Sequence, residues 1–513
     1  MNLRAAILCG LGIVSLAQVT KAQARKPNFL IIFGDDIGVS NISAYSRGVM
    51  GFTTPNIDRI GNEGGVFVTY YGQQSCTAGR AAFITGQSPF RTGLTKVGLP
   101  GSPIGLQKED PTIAEFLKPL GYATGQFGKN HLGDQDRYVP TAHGFDEFFG
   151  NLYHLNAEEE PENPDYPKDP AFKKKFGPRG VLHSYADGKI EDTGPLTRKR
   201  METVDQEFLT AAKAFIQKNA QSGTPFFVWF NSTRMHVHTH LKPSSVGKTD
   251  AGLQGDGMVE HDGMVGELLQ LLDELKIADN TLVLYTTDNG AMKSHWPDGG
   301  ASPFRSEKDT NWEGAYRVPA LIRWPGKIKP GTNFMGLFSA EDWLPTLVAA
   351  AGGDTNLREN ARKGVHAGSK TFKVCIDGYN QLPYLTGQSP ESARNEFFYF
   401  DDDGALVAYR DKRYKYTFDR QDAKGMEVWR NPLTKLRAPI LEDLNSDPYE
   451  YAVDSAASYE DWASEHAFLV LPAVQKVAAY LQSYREFPPR QRPASFSIDQ
   501  VVEKLESSLS SSR

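Results

Sequence analysis

Short apolar runs of strand length alternate along this chain with segments of helical period, and that alternation limits the possible folds more than any other feature. Phe29-Leu30-Ile31-Ile32-Phe33 is uninterrupted and stops at Gly34-Asp35-Asp36, the pattern of a strand covered on both faces. Val66 to Tyr71 is a second run. Tyr122 to Phe127 ends at Gly128-Lys129-Asn130-His131, Pro225 to Phe230 leads to His236, and Thr281 to Tyr285 runs into Thr287-Asp288-Asn289-Gly290. Helical spacing lies between them: Ile113, Phe116, Leu117 and Leu120 after Asp110-Pro111-Thr112, then Val204, Phe208, Ala212 and Phe215, then Met264, Val265, Leu268, Leu271, Leu272 and Leu275 within residues 258–275. Strands separated by helices need crossover connections, which predicts an α/β fold with a large, mostly parallel sheet flanked by helices.

Ligands of such sheets gather beyond the carboxyl ends of the strands. Four ends carry Asp35/Asp36, Lys129/His131, His236 and Asp288/Asn289, so these residues are expected to meet at one edge. Residues 151–200 break the rhythm with Pro, Glu and Lys and read as a surface excursion rimming that edge. From Glu396, the stretches Phe397-Phe398-Tyr399-Phe400, Ala405 to Tyr409 and Tyr414 to Phe418 predict short antiparallel strands, and Leu471 to Tyr484 a final helix with Pro472 in its first turn. Ser507 to Arg513 reads as a polar tail. The organisation expected is a leader over 1–24, a catalytic α/β unit over 25–395 and a smaller C-terminal sheet-plus-helix unit over 396–513.

The leader has Arg4, an apolar run from Ala5 to Ala17 and the small-x-small end Ala22-Gln23-Ala24. That is the form of a secretory signal peptide, too short to span a bilayer, and it predicts export to a periplasmic or extracellular space with no stable membrane anchor. The net charge of −6 argues against a nucleic-acid partner. Cleavage would remove Cys9 and leave Cys76 and Cys375, which a single disulfide could join in an oxidising compartment.

Asp35, Asp36, Asp288 and Asn289 offer hard oxygen ligands, a set that suits Ca²⁺ or Mg²⁺ better than Zn²⁺. Cys76, in Ser75-Cys76-Thr77-Ala78-Gly79-Arg80, precedes an expected helix, where a nucleophile would face an anion-favouring N-terminus with Arg80 one turn on. Lys129, His131, His236 and Lys308 add donors and titratable groups suited to a polyoxyanion.

At these residues the sequence resembles the sulfatase family of the alkaline-phosphatase-like superfamily. Cys76-Thr77-Ala78-Gly79-Arg80 is similar to the Cys-x-Pro/Ala-x-Arg signature and Gly128-Lys129-Asn130-His131-Leu132-Gly133 to the second signature. Ile84-Thr85-Gly86, Arg91-Thr92-Gly93, the stretches around Asp35-Asp36 and Thr287 to Gly290, Lys308 to Pro319 and Asp377-Gly378 match as well, over roughly residues 26–450. The resemblance implies that a formylglycine-generating maturation enzyme oxidises Cys76, which excludes a Cys76–Cys375 disulfide. One Ca²⁺ would be held by Asp35, Asp36, Asp288, Asn289 and the modified residue 76. The geminal diol of formylglycine would attack sulfur of a small-molecule sulfate ester, aryl sulfates being the expected class. Asp288 would take the proton of the attacking oxygen, and Arg80 would stabilise the diol. Lys129 and Lys308 would neutralise sulfate oxygens and the leaving oxygen, His236 would protonate the leaving alcohol, and His131 would take the second diol proton.

Three positions depart from the pattern: Ala78 where Pro is commonest, Asn130 in place of Trp, and Ala315 in place of Gly. The run Met235-His236-Val237-His238-Thr239-His240 stands where the family more often has Pro-His-x-Pro, so His236 is chosen over His238 on its distance from the preceding strand. Three rivals use the same residues differently: a formylglycine-dependent phosphonate monoester or phosphodiester hydrolase, a two-metal zinc phosphatase with Thr77 or Ser75 as nucleophile, and a non-catalytic calcium-dependent anion-binding protein. Tyr153, His154, His183 and Trp296 are candidate walls of the substrate pocket.

Overall fold

The computed structural model describes residues 25–497; the expected leader and polar tail lie outside them. A ten-stranded sheet organises the chain, in the order Thr332–Phe334, Gly65–Phe67, Ala320–Arg323, Thr281–Thr287, Asn28–Gly34, Phe226–Asn231, Ala123–Gly128, Glu147–Gly150, Leu182–Tyr185 and Ile190–Asp192. The five central strands, from Thr281–Thr287 to Glu147–Gly150, are all parallel. Antiparallel pairings flank this centre on both sides, and the edge strand Thr332–Phe334 pairs parallel with Gly65–Phe67.

The central strand shows why an unbroken apolar run is required. Phe29, Ile31 and Phe33 face one layer, with Phe83 and Ile84 of the helix Cys76–Thr85 and with Trp343 and Leu344. Leu30 and Ile32 face the other, under Phe208 and Leu209 of the helix Val204–Ser222 and Val265 and Leu268 of the helix Gly252–Glu274. Side chains alternate across the pleat, so both halves of the run are buried.

Register brings the strand ends together. Gly34 pairs with Thr287, Phe33 with Asn231, and Gly128 with Asn231, so Asp35, Asp288 and Lys129 all leave the sheet at one level. Thr112 caps the helix Ile113–Leu117 in a capping box with Glu115, and Gly121 ends the following turn in the left-handed conformation.

Three details differ from the sequence reading. The run Val66 to Tyr71 is split: Gly65–Phe67 joins the large sheet and Tyr70–Tyr71 pairs with Phe338–Ser339. Residues 151–200 are more than a rim, because Leu182–Tyr185 and Ile190–Asp192 extend the large sheet. The C-terminal antiparallel sheet has a fourth strand, Thr434–Asp443, beside Phe397–Phe400, Leu406–Arg410 and Tyr414–Arg420. The helix Val470–Glu486 covers this sheet, with Tyr480 stacked on Phe398 at 3.7 Å between ring centroids.

Candidate active site

The ten residues expected to act in catalysis or metal binding converge in one buried cluster. Asp35, Asp36, Cys76, Arg80, Lys129, His131, His236, Asp288, Asn289 and Lys308 are each at most 4% exposed. Cys76 opens the helix Cys76–Thr85 after the N-cap Ser75. Gly79 permits that placement: a Cβ there would lie 2.0 Å from the backbone oxygen of Asp288, so only glycine lets the helix approach the strand end. Asp36 and His131 take left-handed backbone conformations, at φ +58° and +61°, the kind of strain tolerated where geometry is functional.

Three carboxylates and three fixed cations interleave here. Lys129 Nζ donates to Asp35 Oδ2 at 2.5 Å. Lys308 Nζ donates to Asp36 Oδ1 and Oδ2 at 2.7 and 2.9 Å and lies 3.1 Å from Cys76 Sγ. Arg80 Nε donates to Asp288 Oδ2 at 2.9 Å and its Nη1 to the Lys129 carbonyl at 3.0 Å. Burial pushes the Cys76 thiol up to about 12 against the opposing pull of Lys129 and Lys308, so an unmodified Cys76 is a poor thiolate. Burial also works to raise the Asp35 and Asp36 carboxyls, but the facing lysines and His236 hold both below the usual range.

The donor set fits a hard cation. Ligand atoms of Asp35, Asp36 and Cys76 lie within 4.8 Å of one another, and Asn289 Oδ1 is buried with no hydrogen-bond partner among the described residues. An orphaned amide oxygen beside two carboxylates lacks only a positive partner.

The histidines differ in which nitrogen is free. His131 Nε2 lies 3.0 Å from the Gly98 carbonyl, which can only accept, so that nitrogen carries the proton; Nδ1 is buried and without a partner among the described residues. His236 Nδ1 lies 2.7 Å from the Val237 carbonyl and is protonated for the same reason, leaving Nε2 3.8 Å from Asp36 Oδ2. Burial, with Lys129 beside it, lowers the His236 pKa to about 4. His238 instead points to Glu159 and is 43% exposed.

The candidate wall residues divide. His154 is at the site, its ring stacked on His236 and edge-on to His131 at 5.8 and 5.6 Å. Tyr153 is buried and donates to Asp134. His183 bonds Glu147 and Tyr185 on the outer strands, away from this cluster, and Trp296 is 85% exposed. Cys76 and Cys375 are both free thiols. Two of the matching stretches are structural: the Arg91 Nε and Nη2 atoms grip both oxygens of Asp377 at 2.7 and 2.9 Å.

A family model described as Sulfatase matches residues 27–353. The chain belongs to the sulfatase family. It is 32% identical to human arylsulfatase A over 450 residues, covering 84% of this chain and 83% of that protein. With the N-acetylgalactosamine-6-sulfatase of Canis lupus familiaris it shares 31% over 411 residues, 77% and 72% of the two chains. The crystal structure of the PsFucS1 sulfatase from Pseudoalteromonas sp. superposes with a TM-score of 0.79 at 28% identity, covering 91% and 92%. This sulfatase is accordingly a sulfuric ester hydrolase, and its sheet and C-terminal subsheet are those of its structural neighbours. Among its described residues, no helix is long and apolar enough to cross a membrane.

Proposed function

We propose that this chain is an exported, formylglycine-dependent sulfatase that hydrolyses sulfate monoesters, aryl sulfates among them, with one Ca²⁺. The observation that carries the reading is the position of Cys76: sealed at a helix N-terminus, against Lys308 and two carboxylates, with its thiol proton held tightly. Such surroundings suit an oxygen nucleophile near a metal and an anion, and they suppress a thiolate. Asp35, Asp36, Asp288, Asn289 and residue 76 would hold the ion. The hydrated aldehyde would supply the nucleophilic oxygen, and the ion would polarise a sulfate oxygen and acidify that hydrate.

The chain's own residues do the remainder. Lys129 and Lys308 bind sulfate oxygens and neutralise charge as it develops. Arg80 holds Asp288 in place to receive the first proton. His236 supplies the proton to the leaving oxygen from Nε2, since Nδ1 is committed to Val237. Since the neutral ring carries its proton on Nδ1, the proton that Nε2 delivers is one taken up from solvent before the leaving oxygen departs. His131 Nδ1, an unengaged lone pair, accepts the second proton.

The test is turnover of a panel of aryl and sugar sulfates alongside a phosphonate monoester, using calcium-loaded protein made with a maturation enzyme. The reading requires sulfate esters to be hydrolysed faster than the phosphonate. A preference for the phosphonate would transfer the chain to the alternative ester class.

A further inference from the structure

One turn of helix, Leu155–Glu159, touches the loop that carries His236 with both of its ends. At its N-cap, His154 Nδ1 accepts from the Ala157 N–H at 3.2 Å, and the ring lies flat against His236 with the planes 7° apart. At its last residue, the Glu159 carboxylate is 9% exposed and accepts from four donors. These are His238 Nδ1 at 3.0 Å, His240 Nε2 at 2.7 Å, and Arg198 Nε and Nη2 at 3.1 and 3.3 Å.

The same loop is anchored from inside by Arg234, whose fully buried guanidinium donates to Glu260 at 2.9 Å, Thr239 at 3.1 Å and the His240 carbonyl at 3.3 Å. Residues 234, 238 and 240 are therefore fixed on either side of His236. Named strand pairing ends at Asn231, and backbone bonds between Asp35 and Arg234 and Met235 hold the chain as far as the residue before His236. From Val237 to His240 the side-chain contacts add the precision that a proton-transferring loop requires.

Glu159 is not a metal ligand in waiting, because Arg198 shares both of its oxygens. Nor is it a surface ion pair of little consequence, since a nearly buried carboxylate with charge-assisted bonds makes strong, directional contacts. We infer that Glu159 is a positioning residue, acting through His238 and His240 to hold His236 Nε2 at the leaving-group side of the site. The inference rests on the reading of His236 as the acid that protonates the leaving alcohol.

A proton donor matters most for poor leaving groups, which gives a readout that general loss of structure does not move. Aryl sulfates from 4-nitrophenyl to phenyl sulfate would be compared in calcium-loaded wild type, Glu159→Gln, Glu159→Ala, the double variant His238→Ala/His240→Ala, and His236→Ala. Glu159→Gln preserves shape and keeps the test alive should the alanine variant not fold. The expected result is a kcat loss of about tenfold on phenyl sulfate and under about threefold on 4-nitrophenyl sulfate, with KM little changed. The double histidine variant should reproduce it, and Glu159→Gln should add no leaving-group dependence to His236→Ala. An equal loss on every ester, or an effect additive with His236→Ala, overturns the inference alone. If His236→Ala itself leaves the leaving-group dependence unchanged, the reading of His236 fails and the inference falls with it.

Discussion

The Nζ of Lys308 sits 3.1 Å from Cys76 Sγ while donating to both oxygens of Asp36. One ammonium thus touches the proposed nucleophile position and a carboxylate proposed to hold the metal at once. Lys308→Ala should lower kcat/KM on 4-nitrophenyl sulfate by about 100-fold or more, the scale of losing a fixed donor to a developing charge, and steady-state kinetics check it. A loss under tenfold would remove Lys308 from the reacting centre.

Asn289 Oδ1 has no partner among the described residues and lies in a set of oxygens that fits Ca²⁺. Chelated wild-type protein should bind Ca²⁺ in calorimetry and gain thermal stability with added Ca²⁺, since an ion that binds only the folded state stabilises it. Asn289→Ala should weaken binding by at least about tenfold. A melting temperature indifferent to Ca²⁺ would argue against the site.

His261 gives a pH prediction away from the reacting groups. It is fully buried, its Nε2 lies 3.1 Å from the Tyr285 hydroxyl, and burial, followed by Arg234, lowers its pKa from 6.5 to about 3. The unfolded chain takes up this proton and the folded one does not, so the group's contribution is intact above pH 6.5 and is lost as pH falls towards 3. At pH 5 the loss is about 2 kcal/mol. Denaturant titrations of wild type and His261→Gln at pH 7 and pH 5 should show the variant losing less stability between them by about that amount.

Arg91 and Asp377 are almost sealed, 3% and 7% exposed at their side chains, and pair through two hydrogen bonds. Asp377→Ala leaves a buried guanidinium uncompensated and should cost about 3–5 kcal/mol. Equilibrium unfolding measures it, and a change below about 1 kcal/mol would place the pair among exposed ones.

The alternating runs made the parallel centre of the sheet legible, because strands buried on both faces are written as continuous apolar stretches. Asp35, Lys129, His236 and Asp288 were legible for a related reason: each follows such a run. The edges were not. Leu182–Tyr185 is a four-residue strand in a Pro- and Lys-rich segment, and Thr434–Asp443 is largely exposed until Leu441, so neither carries a strong pattern. Arg91 and Asp377 were visible as matching stretches, but their partnership spans 286 residues and no local signal joins them. Glu159 was hidden in an acidic run that reads as solvated, and only the loop folded over it shows what it holds.

The chemistry of residue 76 decides the proposed mechanism, and peptide mass spectrometry of protein from its native host reads it most directly. The peptide carrying residue 76 should be about 18 Da lighter than its cysteine form, as conversion to formylglycine requires. An intact thiol at residue 76 in protein that hydrolyses sulfate esters would contradict it.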